Sequence, residues 1–315
     1  MHFSNGHFYS VNQYYKELFG TKIYKISLDA GCTCPNRDGT KGLGGCIFCG
    51  ESGSGDFAAN RFLSVKNQVE QGKSLVSGKI KSAQNVKYIA YFQNFTSTYG
   101  DENILVQKYK EALSCKDVVG LALGTRPDCI SDKMLEMLSE LAKKYYVSIE
   151  LGLQTSNEKT SEYIRRKYKN EIYLQCIKRI NQKADIHIVT HLIFGLPFET
   201  EKDMLDSVRF SVAAGTDGIK ISLLHVLKNT DLQKEFESGK FSAMEMYDYF
   251  YLLGKAVEII PEHIVLHRIT GDGAKKNLIA PMWTGNKRFV LNELNKYLCE
   301  NNIVQGKKSE SAYPL

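Results

Sequence analysis

Short apolar runs alternate along this chain with longer stretches whose apolar residues recur every three or four positions. The runs Ile23–Leu28, Val86–Phe92, Val118–Leu123, Val147–Leu153, Ile186–Phe194 and Gly218–Leu224 are rich in β-branched and aromatic residues. They read as nearly continuous rather than alternating, the pattern of strands covered on both faces. Between them, Leu105, Tyr109, Ala112 and Leu113 share one helical face. So do Met134, Leu135, Leu138 and Leu141, then Tyr173, Ile177 and Ile180, then Met204, Leu205, Val208 and Val212. Thr155 with Glu158, and Thr200 with Asp203, have the spacing of capping boxes at helix starts. Residues 62–82 are expected to form the first crossover helix, although Gly72 and Gly78 weaken its propensity.

Repeated strand–helix units imply parallel strands joined by right-handed crossovers. Six of them predict an α/β fold, a partial and open (β/α)6 barrel, with a doubly wound sheet as the alternative. Past Leu224 the pattern changes: helices at Met244–Ile260 and Lys287–Asn302 flank a strand-like Ile264–Ile269. The expected organisation is therefore an N-terminal segment (1–20), a core barrel (21–242) and a C-terminal α/β extension (243–315). In either architecture ligands gather at the C-terminal ends of the strands.

Composition sets limits on this picture. A net charge of +6 over 315 residues permits an anionic partner such as RNA without requiring one. No run approaches the ~18 apolar residues of a membrane helix, and Met1–Ser10 lack the apolar centre of a signal peptide. The expected location is the cytoplasm, with no membrane partner. Reducing cytosol disfavours disulfides among the eight cysteines. Cys115, Cys129, Cys176 and Cys299 stand in apolar contexts and are expected in the core.

The other four cysteines, Cys32, Cys34, Cys46 and Cys49, crowd into a glycine-rich loop after the first strand. Thiolates bind zinc or iron–sulfur clusters, and Cys-x-x-Cys wraps one centre from a single turn. Glycines at 39, 42, 44, 45 and 50 let the backbone approach an inorganic core. Two readings stand at this point. All four thiolates close a structural zinc site, or three hold a cubane whose fourth iron stays open for a ligand.

The spacing Cys34-x11-Cys46-x2-Cys49, with Phe48 before the last cysteine, resembles the cluster loop of radical S-adenosylmethionine (SAM) proteins. The variant CPNRDGT…GGC-x-FC resembles the YhcC/YtqA (MnmL-type) family, related to the elongator catalytic subunit and to oxygen-independent coproporphyrinogen oxidase. The similarity runs from about Asn12 to Ser311. It takes in Gly124–Asp128, Glu150–Gln154, Arg165–Lys167, His191–Glu199 and Ile269–Asp272. Cys32 departs from the family pattern and is read as spare. The resemblance implies a [4Fe–4S] cluster on Cys34, Cys46 and Cys49, and SAM bound through its amino and carboxylate groups to the open iron. Reductive cleavage then gives methionine and a 5′-deoxyadenosyl radical that abstracts hydrogen from substrate.

By the same resemblance, Phe48 lies near adenine and Gln93–Thr96 approach the methionine amino group. Gln154 and Arg166 face ribose and carboxylate, and Gly195 and Pro197 shape the end of the fifth strand beside adenine. Glu150 and His191 stand among the cofactor contacts, Glu150 with the plainer alternative of pairing with a lysine. The implied substrate is wobble uridine of tRNA, carboxymethylaminomethyl-uridine becoming aminomethyl-uridine, with flavodoxin or ferredoxin supplying electrons. Lys275-Lys276, Lys287-Arg288 and Lys307-Lys308 are compatible with phosphate contacts. The alternatives are a radical SAM enzyme on a porphyrin-like small molecule and a zinc-stabilised nucleic-acid-binding protein.

Overall fold

The computed structural model describes residues 1–50, 53, 59–78, 80, 85–183, 185–271 and 275–309. Asp272 and the end of the helix expected over 62–82 lie outside them. Seven parallel strands form one curled half-barrel sheet. The first six are β1 (Ile23–Leu28), β2 (Lys87–Phe92), β3 (Val118–Thr125), β4 (Tyr146–Gln154), β5 (His187–Phe194) and β6 (Gly218–Leu223). They lie side by side in chain order, the arrangement that right-handed crossovers produce. A two-residue strand, β7 (Val226–Leu227), follows. The seventh strand of the sheet is β8 (Val265–Arg268), which pairs with β6 at Gly218↔Val265 and Ile219↔Leu266. The strand expected in the extension thus continues the barrel sheet. A last strand, β9 (Leu278–Ala280), pairs antiparallel with β7 just beyond the C-terminal end of β6.

The crossover helices are α2 (Val65–Ser77), α3 (Glu102–Leu113), α4 (Asp132–Ala142), α6 (Asn170–Lys183) and α7 (Glu201–Ala213), with α5 (Glu158–Tyr163) before α6. Their apolar stripes and the outward faces of the strands make the main core, for example Ile26, Leu28, Ile221, Leu223, Leu138 and Ile177. Gly72 sits mid-helix because α2 lies directly on β1: a Cβ there would stand 2.9 Å from Cβ of Ile26. The Thr200–Asp203 capping box forms as expected. The Thr155 cap does not. The α5 N-cap is Asn157, whose side chain accepts from Lys159 and Thr160 N–H, and the Thr155 hydroxyl instead accepts from Asn157 N–H. The extension supplies α8 (Asp231–Glu237), α9 (Met246–Ile259) and α10 (Lys287–Glu300).

Two expectations need correction. The strands do not all read as two-face-buried runs: β1 (Ile-Tyr-Lys-Ile-Ser-Leu) and β6 (Gly-Ile-Lys-Ile-Ser-Leu) alternate. Only the convex side of a half-barrel carries helices. The concave side faces a cavity, and Lys25, Ser27, Lys220 and Ser222 line it. Of the scattered cysteines, Cys115 and Cys176 are buried, but Cys129 is half-buried and Cys299 exposed. Cys299 falls beside, not on, the stripe Val290, Leu294 and Leu298 that α10 buries.

The N-terminal segment holds an unexpected helix, α1 (Val11–Phe19), begun by the Ser10 side chain accepting from Gln13 N–H and ended by Gly20 at φ 67°. It plugs the N-terminal end of the barrel with aromatic rings. Tyr14 stacks on His187 at 4.9 Å, and Tyr15 and Phe19 meet Tyr146 edge-on. Among the described residues no helix is long and apolar enough to cross a membrane.

Candidate active site

The loop leaving β1 turns back on itself through short local bonds. Arg37 and Asp38 N–H donate to the Cys34 carbonyl, Lys41 and Gly42 N–H to that of Pro35, and Gly45 N–H to that of Asn36. Gly44 and Gly45 take φ of 77° and 85°, a region that costs a side-chain-bearing residue energy. Its own side chains and two neighbouring segments, the link from α5 to α6 and the start of α8, brace the loop. Asn36 Nδ2 donates to the Arg165 carbonyl at 2.7 Å and lies 3.6 Å from Cys46 Sγ. The Arg37 guanidinium donates to the carbonyls of Cys49 and Gly50. Leu232 N–H, from α8, donates to the Ile47 carbonyl. Asn36 and Arg37 belong to the quoted CPNRDGT motif but were not singled out.

The result is that Cys34, Cys46 and Cys49 line one cavity of about 240 Å³ at the C-terminal end of the sheet. Phe48, Gln93, Thr96, Glu150, Gln154, Arg166 and His191 line it too, so ten of the twelve expected positions come together. Gly195 and Pro197 do not; Gly195 N–H instead meets the Met204 sulfur. Cys46 and Cys49 are hydrogen-bonded, which holds the Cys46 thiol below its ordinary value and pushes Cys49 up. Cys32 is buried in the main core and absent from this lining. Burial raises its thiol to about 11. The four thiols are therefore not gathered for one zinc, and among the described residues no three Cys, His, Asp or Glu side chains converge on one ion. Three thiols spread around a cavity suit a cubane, where each binds a different iron. A polar NH2 beside one sulfur suits it as well.

Arg166 is 1% exposed, and its guanidinium is held by the chain. It donates to the carbonyls of Leu153, Thr155 and Tyr168 and to Asn170 Oδ1, at 2.7–3.0 Å. In this geometry it fixes the end of β4 rather than presenting a fork to a ligand. Gln154, at φ 64°, follows a bulge in the β4–β5 pairing. Arg126 donates twice to Asp128 and once to the Arg166 carbonyl, which explains the Gly124–Asp128 motif as a brace.

Below the thiols the lumen is polar, centred on Glu150 at 1% exposure. Its carboxylate accepts from Lys25 Nζ at 2.6 Å, Lys220 Nζ at 3.1 Å, Tyr91 OH at 2.7 Å and His191 Nε2 at 2.7 Å. Burial acts against its charge, but Lys220 and Lys25 hold it well below the usual carboxylate range. Burial, with Lys220 nearby, lowers His191 to about 4, so its ring is neutral near pH 7. Burial lowers Lys220 to about 8 against the pull of Glu150, while Glu150 keeps Lys25 firmly charged despite its burial. Lys25, Tyr91 and Lys220 were not expected at the site. Lysine within a strand reads as solvent-facing, and the signal of a polar lumen is the alternation of β1, β4 and β6.

A family profile described as the Radical SAM superfamily matches residues 34–211, and one described as the Radical_SAM C-terminal domain matches 216–300. The YtqA protein of Bacillus subtilis is 41% identical over 300 residues, covering 95% of this chain and 92% of that one. The YhcC protein of Escherichia coli is 35% identical, covering 90% of each. A tRNA-2-methylthio-N(6)-dimethylallyladenosine synthase of Thermoanaerobacter is 30% identical over 203 residues, covering 56% of this chain and 42% of its own. Among solved structures, an archaeal Elp3 from Methanocaldococcus infernus shares the fold, with a TM-score of 0.66 at 14% identity. It covers 90% of this chain, which spans 63% of the Elp3 chain. Taken with the cysteine loop at the open end of a half-barrel, these likenesses place the chain in the radical SAM superfamily, among its YtqA/YhcC-type enzymes, with SAM and a [4Fe–4S] cluster as cofactors.

Proposed function

We propose that this enzyme modifies the wobble uridine of tRNA, converting carboxymethylaminomethyl-uridine to aminomethyl-uridine. Loss of a hydrogen atom from the carbon beside nitrogen, then of an electron returned to the cluster and a proton, would give an imine that water splits into the amine and glyoxylate. The observation that carries the reading is the continuity of two cavities: the one at the thiols shares Phe48, Cys49, Tyr91, Gln93 and Glu150 with a deeper one of about 550 Å³. A cofactor at the thiols and a nucleoside side chain in the lumen would then meet across a common wall.

Cys34, Cys46 and Cys49 hold the cluster, Phe48 offers a face to adenine, and Gln93 and Thr96 flank the SAM methionine end. The cluster, when bound, supplies the electron that cleaves SAM and so starts hydrogen abstraction. The protein's own side chains do the rest. Arg37, Asn36 and Arg126 fix the loop, Arg166 fixes the strand end, and the Glu150 network keeps the lumen charged and shaped. Exposed Lys275 and Lys276, next to β9 at the barrel mouth, support contacts with tRNA phosphates. The partial likeness to a tRNA nucleoside synthase supports the same class of substrate. A flavodoxin or ferredoxin is the fitting electron donor, and the cytoplasm the fitting location.

The test is nucleoside analysis of tRNA from a strain lacking the gene. The expected result is accumulation of carboxymethylaminomethyl-uridine and loss of aminomethyl-uridine and whatever derives from it. Unchanged wobble nucleosides would reject the substrate.

A further inference from the structure

We propose that Lys220 anchors a carboxylate of the substrate in the lumen and so decides which side chain the enzyme accepts. The inference rests on the tRNA reading for the identity of that side chain, but the site is argued from charge and geometry alone.

Two ammonium groups, Lys25 and Lys220, share the one carboxylate of Glu150. Of the other titratable groups on that carboxylate, His191 is neutral and Tyr91 is held as the neutral phenol. Lys25, Lys220 and Glu150 sum to +1, Arg268 at the same cavity adds a further positive charge, and among the described residues that line it Glu150 is the one acid. Buried charge without a counter-charge is costly, and a lumen built this way favours an anion.

The two lysines are not equivalent. Lys25 stands 2.6 Å from Glu150 with its ammonium over the rings of Tyr15 and Tyr91, which cover its other sides. Lys220 lies 3.1 Å from both Glu150 Oε2 and Tyr91 OH. An ammonium carries three N–H donors, so one is left for a ligand. Ser222, two residues along the same face of β6, and Ser27 from β1 line the same cavity and add hydroxyl donors.

Position fits the chemistry. In carboxymethylaminomethyl-uridine the carboxylate ends the side chain, and the carbon beside it is the one bonded to nitrogen. A carboxylate held at Lys220 leaves that carbon on the side of the cavity that Phe48, Cys49 and Gln93 share with the thiols. The aminomethyl product has no carboxylate and gains nothing from Lys220, so the site also releases what it has made. Lys220 is a binding residue in this scheme.

The test compares two nucleosides that differ only in the carboxymethyl group, carboxymethylaminomethyl-uridine and aminomethyl-uridine. Their binding to the cluster-loaded protein with SAM is measured by calorimetry for wild type, Lys220→Met and Lys220→Arg. Wild type is expected to bind the carboxylated nucleoside at least tenfold more tightly. Lys220→Met should bring the ratio close to one while the cluster's visible absorption shows the barrel intact, and Lys220→Arg should restore part of the preference. A wild type that binds both alike or neither, or a Lys220→Met protein that keeps the full ratio, overturns the proposal. Clear discrimination alongside unchanged wobble nucleosides in the deletion strain would keep the anion site and reject the tRNA reading.

Discussion

Arg166 carries four hydrogen bonds from one buried side chain to the end of β4 and the start of α6. Lysine cannot span those acceptors with one ammonium. Arg166→Lys is therefore expected to destabilise the cofactor-free protein by about 3 kcal/mol, read from urea unfolding, because buried carbonyls lose their donor. A variant of unchanged stability that fails only to bind SAM would show that the arginine serves the cofactor instead. The neighbouring Glu150 network gives a pH prediction. The native His191 ring takes its proton only near pH 4, whereas in the unfolded chain it does so near 6.5. Below pH ~6.5 the unfolded state binds the extra proton, so stability falls toward pH ~4 by about 1.4 kcal/mol per unit for this group. His191→Asn should flatten the slope of unfolding free energy against pH by that amount, with an unchanged slope counting against the assignment. At this scale the gathering of Cys34, Cys46 and Cys49 at one cavity was legible because thiols in a glycine-rich loop have few other uses. Lys25, Lys220 and Tyr91 were not, since their role depends on which strand face turns inward.

Among the elements, α2 depends on Gly72 for its approach to β1. Alanine normally improves a helix interior by about 1 kcal/mol over glycine, yet here its Cβ would press 2.9 Å from Cβ of Ile26, an atom held by backbone. Gly72→Ala is expected to lower stability by about 1–3 kcal/mol, as overpacking does, and a gain would show that α2 can shift. The seven strands of the sheet were readable to within two residues at each end, because β-branched runs bounded by polar loops have little other use; β7 and β9, two and three residues long, were not. Sidedness was harder. β1, β4 and β6 alternate, with Ser148, Glu150 and Gln154 of β4 set between Val147, Ile149, Leu151 and Leu153, but alternation alone does not say that the polar face encloses a cavity rather than meeting solvent. The helix α1 was legible in the spacing of Val11, Tyr14, Tyr15 and Phe19 but was not read, because it precedes the first strand and so falls outside the strand–helix repeat. The cap at Asn157 lost to Thr155 in the reading because Thr-x-x-Glu matches the box by spacing alone, and spacing does not say which side chain the turn brings to the free N–H groups.

Over the whole molecule, the half-barrel leaves one open end, where Asn36, Arg126 and Arg166 are buried above the Glu150 network of the lumen. A tRNA partner approaching that end would meet Lys275 and Lys276. Replacing both with alanine is expected to weaken tRNA binding severalfold and to reduce its salt dependence by up to two phosphate contacts, measured as affinity against salt concentration. An unaltered salt slope would move the RNA surface elsewhere. The account as a whole depends on three thiols, and not four, serving the cofactor. The direct measurement is anaerobic iron–sulfur reconstitution of wild type and of alanine variants at Cys32, Cys34, Cys46 and Cys49, followed by iron content and 5′-deoxyadenosine formation from SAM under reduction. Wild type and Cys32→Ala should each hold about four irons and cleave SAM, and each of the other three variants should not. Loss of the cluster in Cys32→Ala, or a colourless wild type holding one zinc and leaving SAM intact, would contradict it.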